Sequence, residues 1–226
     1  MKKPKLFISF IGSRGSGKTT VANALAKNLE DLGFSTTRQH RGLVGGITLN
    51  NIYNALTLWQ YFDWEVMKKI GFFGRSKRLL PSLYRIYLPL AFMKDISKLK
   101  QKSDILIYDS NILRGMMQGL LSDDIKGSDI AVFYKSKILP KLNKLIIVVI
   151  DTDPRVAINR WIERDNVNIT KEDLEKEIED RVMLHKATNT VAEVLSKFPK
   201  VQLIRLKGED PPEKNITKIL YYLTKP

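Results

Sequence analysis

The stretch LFISFIGSRGSGKTT, residues 6–20, constrains this chain more than any other. The apolar run Leu6–Ile11 breaks into glycines, a lysine and two threonines, and apolar residues then return at Val21, Ala22, Leu25, Leu29 and Leu32. A continuous apolar run suits a strand covered on both faces. The later spacing predicts one face of a helix, stopped by Gly33. A glycine loop between a buried strand and a helix lets successive backbone N–H groups converge on an anion with no Cβ in the way. The partial positive charge of the helix N-terminus adds to that attraction.

Residue by residue, Gly12-Ser13-Arg14-Gly15-Ser16-Gly17-Lys18-Thr19 fits the pattern G-x-x-x-x-G-K-[ST] in the strand–loop–helix setting that the pattern requires. The expected ligand is a nucleoside triphosphate with Mg²⁺. Gly12 to Thr20 would cradle its phosphates, Lys18 would reach the β- and γ-phosphates, and the Thr19 hydroxyl would ligate the metal.

The rest of the chain repeats the strand–helix alternation. Apolar runs at 104–108, 145–150 and 201–206 predict three more strands, and 34–38 a weaker one. Helices are expected at 48–70 and 82–102, after Asp153 and Pro154, from Thr170 to Ser196, and after the Pro211–Pro212 turn. Asp153 is the expected N-cap of its helix, with Pro154 at the first helical position. Thr170 and Asp173 form a candidate capping box, and Leu174, Ile178 and Val182 mark the apolar face of the helix that follows. The expected fold class is α/β, a three-layer sandwich with a parallel sheet flanked by helices, in one domain spanning 1–226.

A triphosphate site also needs an acid at the end of a neighbouring strand. Asp109, closing DILIYD, is the candidate, for metal binding and for catalysis; a helix N-cap is the other role open to it. Phosphoryl transfer spreads negative charge over the moving group, so positioned cations are the main catalytic tool. The candidates are Lys18, Arg14 within the loop, and Arg160 and Arg164, one turn apart on the helix after Pro154. The last two also read as solvated surface residues of a charged helix.

Composition excludes several function classes. There is no cysteine, which rules out disulfides and thiolate metal sites, and there are two histidines, His40 and His185. The opening MKKPKLFISFIGS is too short an apolar run for a spanning helix, and a cytoplasmic location is expected. The net charge of +14 is uneven: residues 66–102 hold ten Lys or Arg against the single acid Asp95, or +9 of the total. Such a field attracts phosphates, nucleic acid or anionic lipid, although a plain solvated surface gives the same pattern.

Taken in order, these segments resemble the thymidylate kinase family of P-loop nucleotide kinases. FIGSRGSGKTT matches the family's opening strand and loop, and TTRQHRGLVGG its threonine–arginine segment. YLPLAFMKDISKLKQKSDILIYDSN resembles the acceptor helix leading into the strand with an Asp-Arg motif. VVIDTDPRVAINRWIERD resembles the strand, turn and lid helix, which places a lid at about 154–170, and the segment from EIEDRV to PPEKNI resembles the closing helix, strand and helix. The resemblance implies a five-stranded parallel sheet, Mg²⁺–ATP as donor, a nucleoside monophosphate such as dTMP as acceptor, and a homodimer.

The departures from the family fall on the acceptor side. Arg14 stands near the place of an acidic residue, and Asp109-Ser110 replaces Asp-Arg, with Arg114 one turn on. Phe92 matches the aromatic that stacks on the base, but Ile96 occupies the position of the arginine that reads it. Losing such a charged contact costs about 2–3 kcal/mol. Arg38, Phe92 and Arg114 are therefore the expected acceptor-binding residues, with Phe92 also readable as core. The expected function is a nucleotide kinase of this type. The alternatives are a P-loop kinase acting on another anionic acceptor (a different nucleotide, a nucleoside, or a sugar or lipid precursor), an ATP-driven switch, or an ATP-regulated protein that binds nucleic acid or a membrane surface through 66–102.

Overall fold

The computed structural model describes residues 6–40, 104–110, 117, 120–121 and 126–224. The two helices expected at 48–70 and 82–102, the basic stretch 66–102, and Phe92, Ile96 and Arg114 lie outside the described residues.

Five strands form one parallel sheet: β1 (Leu6–Ile11), β2 (Thr36–His40), β3 (Ile105–Ser110), β4 (Lys144–Asp151) and β5 (Val201–Lys207). Their order is β2-β3-β1-β4-β5. The described helices are α1 (Lys18–Asp31), α2 (Gly127–Phe133), α3 (Pro154–Asp165), α4 (Lys171–Ser196) and α5 (Pro212–Thr224). This is the α/β sandwich with a five-stranded parallel sheet that the sequence predicts.

Alternate residues of each central strand serve opposite layers. Phe7, Leu106, Tyr108, Leu145, Ile147 and Val149 pack into one core with Ala187, Val191, Ala192 and Leu195 of α4. Ile8, Phe10, Ile107, Ile146, Val148 and Ile150 pack into the other with Val21, Ala22, Leu25 and Leu29 of α1 and with Ile216 and Ile219 of α5. Two buried faces account for the unbroken apolar runs.

Three expectations shift. On α1 the buried face ends at Leu29, and Leu32 is 61% exposed, because the helix has already closed: Leu32 N–H donates to Asn28 O, and Gly33, at φ +83°, turns the chain away. On α4 Val182 is exposed and Arg181 is buried in its place. Between β3 and β4 stands α2, continued by a π-helical turn (Tyr134–Ile138) and a 3-10 turn (Leu139–Lys141), none of which the sequence pattern announces. Its Ile130, Phe133 and Tyr134 are core residues, and burial pushes the Tyr134 phenol far above the ordinary tyrosine range.

Because every strand is parallel, Ile11, Ser110, Asp151 and Lys207 end at the same edge of the sheet. The neighbours of β1 are β3 on one side and β4 on the other, so the winding reverses there. In open α/β sheets a ligand crevice lies outside the carboxyl ends of the strands at such a reversal. The glycine loop leaves β1 at this point.

Candidate active site

The loop's shape follows from its glycines. Gly12, Gly15 and Gly17 have φ of +155°, +84° and +90°. A Cβ on Gly12 would stand 2.8 Å from the Ile150 carbonyl oxygen, and one on Gly15 only 1.9 Å from that of Ala157 in α3. Nothing lies within 4 Å of the corresponding position on Gly17, so the loop is wedged against the protein at two glycines and open at the third. Ser16 is fully buried, and its N–H donates to Ser13 O at 3.3 Å.

Lys18 folds back across this loop. Its Nζ donates to Ser13 O at 2.6 Å and reaches Ser16 Oγ at 3.4 Å, which holds the ammonium over the turn. Helix α1 begins at Lys18 with Gly17 as N-cap; no side chain caps it and its first turn holds no acid. Thr19 and Thr20, at that first turn, are exposed. A helix N-terminus with neither cap nor acid, preceded by a glycine turn and bridged by an ammonium, is suited to an anion.

Asp109 lies near the end of β3, one residue beyond Tyr108, which pairs with Ser9 of β1. Its side chain is fully buried, and Arg38 Nε of β2 stands 3.8 Å from Oδ2. A buried carboxylate costs free energy unless cations and donors surround it. The Asp109 carboxylate, on the strand beside β1, and the Thr19 hydroxyl, at the head of α1, are oxygen donors of the kind that Mg²⁺ takes.

The arginines form a cluster centred on α3. Arg14 Nη2 donates to Asp165 Oδ2 at 2.6 Å, and Arg164 donates to both oxygens of the same carboxylate, at 2.7 and 3.1 Å. The hydrogen bond from Arg164, aided by the charges of Arg164 and Arg14, holds the Asp165 carboxyl below the usual carboxylate range. The Arg14 guanidinium lies 5.0 Å from the centroid of the Trp161 ring. Arg160 is directed elsewhere: its Nη1 donates to Gly208 O at 2.8 Å, tying α3 to the β5–α5 connection.

That connection is also tied to the end of β4. Gly208 N–H donates to Asp151 O at 2.6 Å, and a Cβ on Gly208 would stand 1.8 Å from Thr152 Oγ1. Asp153 caps α3 as expected, accepting from the N–H groups of Arg155 and Val156 at 2.8 and 3.3 Å. Beside the loop, a cavity of about 600 Å³ opens between Gly12, Ser13, Asp151, Asp153, Arg181 and His185. Its volume falls in the range of small-molecule sites, about 300–1,000 Å³.

Of the residues the sequence proposed, the structure brings the loop, Lys18, Thr19, Asp109, Arg38, Arg14 and Arg164 to one edge of the sheet, with Arg160 turned to Gly208. One residue was missed. Arg181 of α4 is 5% exposed, donates from Nη1 to the Arg14 backbone carbonyl inside the loop, and lies 5.4 Å from the Trp161 centroid. Its signal was phase: positions 181, 184, 188, 191 and 195 share a helical face, so an arginine stands where a core residue is due.

No family model matches the chain, and no curated protein matches it. Among solved structures, deoxyadenosine kinase from M. mycoides with bound dCTP is similar at 17% identity and TM-score 0.45, over 96% of this chain and 98% of that one. The same enzyme with the products dCMP and a flexible dCDP gives 19% identity and TM-score 0.49 over 96% and 98%. With bound dATP it gives 19% and 0.48 over 97% and 100%.

Proposed function

We propose that this chain is an ATP-dependent phosphotransferase of the thymidylate kinase type, moving the γ-phosphoryl group of Mg²⁺–ATP to a nucleoside monophosphate such as dTMP. The observation that carries the reading is the loop itself. Three glycines stand at positive φ, two of them pressed against the protein, and Lys18 is folded over the turn at the uncapped head of α1. This arrangement receives a polyphosphate.

In this reading the triphosphate takes N–H donors from the loop and from the first turn of α1, and the Lys18 ammonium exchanges the Ser13 carbonyl for phosphate oxygens. Thr19 and Asp109 would hold Mg²⁺, which neutralises charge on the phosphates when bound. Arg14 and Arg164, which now share Asp165, are the cations available to the transferring group. Arg160, fixed to Gly208, keeps α3 against the donor side as part of a lid at about 154–170. Arg38, Phe92 and Arg114 are the proposed acceptor contacts. A phosphate acceptor is already ionised, so positioning does most of the work and no strong base is required. The same reading carries a cytoplasmic location and a homodimer. Among the described residues no helix is long and apolar enough to cross a membrane.

A second reading keeps the donor half and changes the acceptor. Asp109, on the strand next to the one that carries the loop and with Arg38 at 3.8 Å, would accept the proton of a substrate hydroxyl, and an acceptor with a free hydroxyl is a nucleoside. The test is ADP formation from Mg²⁺–ATP with dTMP, then with other nucleotides, nucleosides and sugar phosphates, using Lys18→Ala as the blank. Removing Lys18 is expected to lower turnover about 10²–10³-fold, as for loss of one preorganised charge-stabilising donor. Turnover with dTMP supports the thymidylate kinase reading, and turnover with nucleosides alone supports the second. ADP formation indifferent to every acceptor refutes both and favours an ATP-driven switch or a surface-binding protein.

A further inference from the structure

The hydrogen bond from Arg181 to the Arg14 carbonyl joins a buried cation on α4 to the backbone of the phosphate loop. Lysines and arginines are almost never this buried unless a partner compensates the charge. Here Glu177, one turn away, lies 3.4 Å from Nη2, and the Trp161 ring lies against the guanidinium. The third partner is a main-chain oxygen in the middle of the anion-binding turn.

We infer that Arg181 is a positioning residue for phosphate binding: it turns the Arg14–Gly15 peptide so that the Gly15 N–H faces the phosphate. The peptide unit is planar and trans, so its C=O and N–H point in opposite directions. Drawing the Arg14 carbonyl toward α4 aims the Gly15 N–H away from α4. Gly15 is held from the other side as well, since at φ +84° it lies against the Ala157 carbonyl with no room for a Cβ. The two restraints fix both ends of this peptide. Without Arg181 the plane is free to rotate, and the N–H must be reoriented at the moment of binding. The arginine does not touch the ligand; its effect on a phosphate passes through the loop.

This inference rests on the loop being a polyphosphate site, and the experiment separates the two. Wild type, Arg181→Lys and Arg181→Gln are titrated with Mg²⁺–ATP and with inorganic tripolyphosphate. Calorimetry gives the affinity, the Gly15 amide resonance reports on the peptide, and thermal melting reports on the fold. The expected order of tripolyphosphate affinity is wild type, then Lys, then Gln. Loss of a charged hydrogen bond sets a total drop of about tenfold. At saturating ligand the Gly15 amide should move further in the variants than in the wild type, because there the peptide reorients as it binds. A residue that only stabilised the fold would lower the melting temperature and leave the affinity of folded protein and the Gly15 shift unchanged. Wild-type affinity in both variants, or in Arg181→Lys where Arg181→Gln does not fold, overturns the inference alone. Failure of the wild type to bind either ligand overturns it together with the phosphotransferase reading.

Discussion

Gly15→Ala tests whether the loop is shaped by its contact with α3 or only by local conformation, because three glycines of this chain separate the two effects. Gly15, Gly17 and Gly33 have nearly the same φ, +84°, +90° and +83°. Alanine at any of them meets the same left-handed cost, about 1–2 kcal/mol. At Gly33 and Gly17 a Cβ finds nothing within 4 Å, so that cost is the whole effect on stability. At Gly15 the added carbon would stand 1.9 Å from the Ala157 carbonyl oxygen, and reaching even 3.0 Å requires the loop and α3 to part by 3.0 − 1.9 = 1.1 Å. Forced separation of packed backbone adds about 1–3 kcal/mol, the range for overpacking. A chain of this size loses about 2–4 °C of melting temperature per kcal/mol. Gly33→Ala and Gly17→Ala should therefore melt about 2–8 °C low, and Gly15→Ala lower than either by several degrees. ATP binding, measured by calorimetry, divides them differently. Gly33→Ala should bind as wild type, because Gly33 ends α1 away from the site. Gly17→Ala and Gly15→Ala should both bind at least about tenfold more weakly, since one crowds the phosphate and the other displaces the loop. If Gly15→Ala melts together with Gly33→Ala and binds ATP normally, then α3 does not shape the loop, and the argument from the 1.9 Å approach is wrong.

Two further outcomes follow from the braces around α3. Asp153→Ala removes the side chain that accepts from the N–H groups of Arg155 and Val156. It should destabilise the protein by about 1 kcal/mol, read as a drop of about 2–4 °C in the melting temperature; an unchanged melt would mean the cap contributes nothing. The Asp165 carboxyl, held low first by its hydrogen bond from Arg164, should titrate below the unperturbed aspartate value of about 3.9. A carboxyl lowered by folding contributes stability that is present above its unfolded value and is lost as pH falls through its folded value. The contacts of Arg14 and Arg164 with Asp165 should accordingly persist at neutral and mildly acidic pH and open only in strong acid. A carbon-13 titration of Asp165 with a midpoint at or above about 3.9 would contradict this.

The fold and the shape of the glycine loop were legible in sequence because both depend on local rules. An unbroken apolar run means a strand with two covered faces, and Leu6–Ile11 followed by G-x-x-x-x-G-K-T means a tight glycine turn into the uncapped head of a helix, whatever the rest of the chain does. Asp153-Pro154 likewise announces a helix start, since a cap and a proline act on their own turn. What was hidden depends on distant partners. Val182 and Arg181 are neighbours on α4, and hydropathy alone puts the valine inside. The structure buries the arginine because the Arg14 carbonyl, 167 residues away along the chain, is there to accept its proton and the Trp161 ring to cover it. Arg160 and Arg164, four residues apart, were indistinguishable in sequence, and only the positions of Gly208 and Asp165 assign one to a brace and the other to the cluster with Arg14. Thr170 and Asp173 show the same limit on a smaller scale. The hydroxyl accepts from the Asp173 N–H as a cap should, but it also donates to the Asp173 carboxylate, a bond that hydropathy and spacing do not specify. Periodicity locates a helix face to within one residue, and in α4 that one residue separates an exposed valine from the cation that holds the Arg14 carbonyl of the glycine loop.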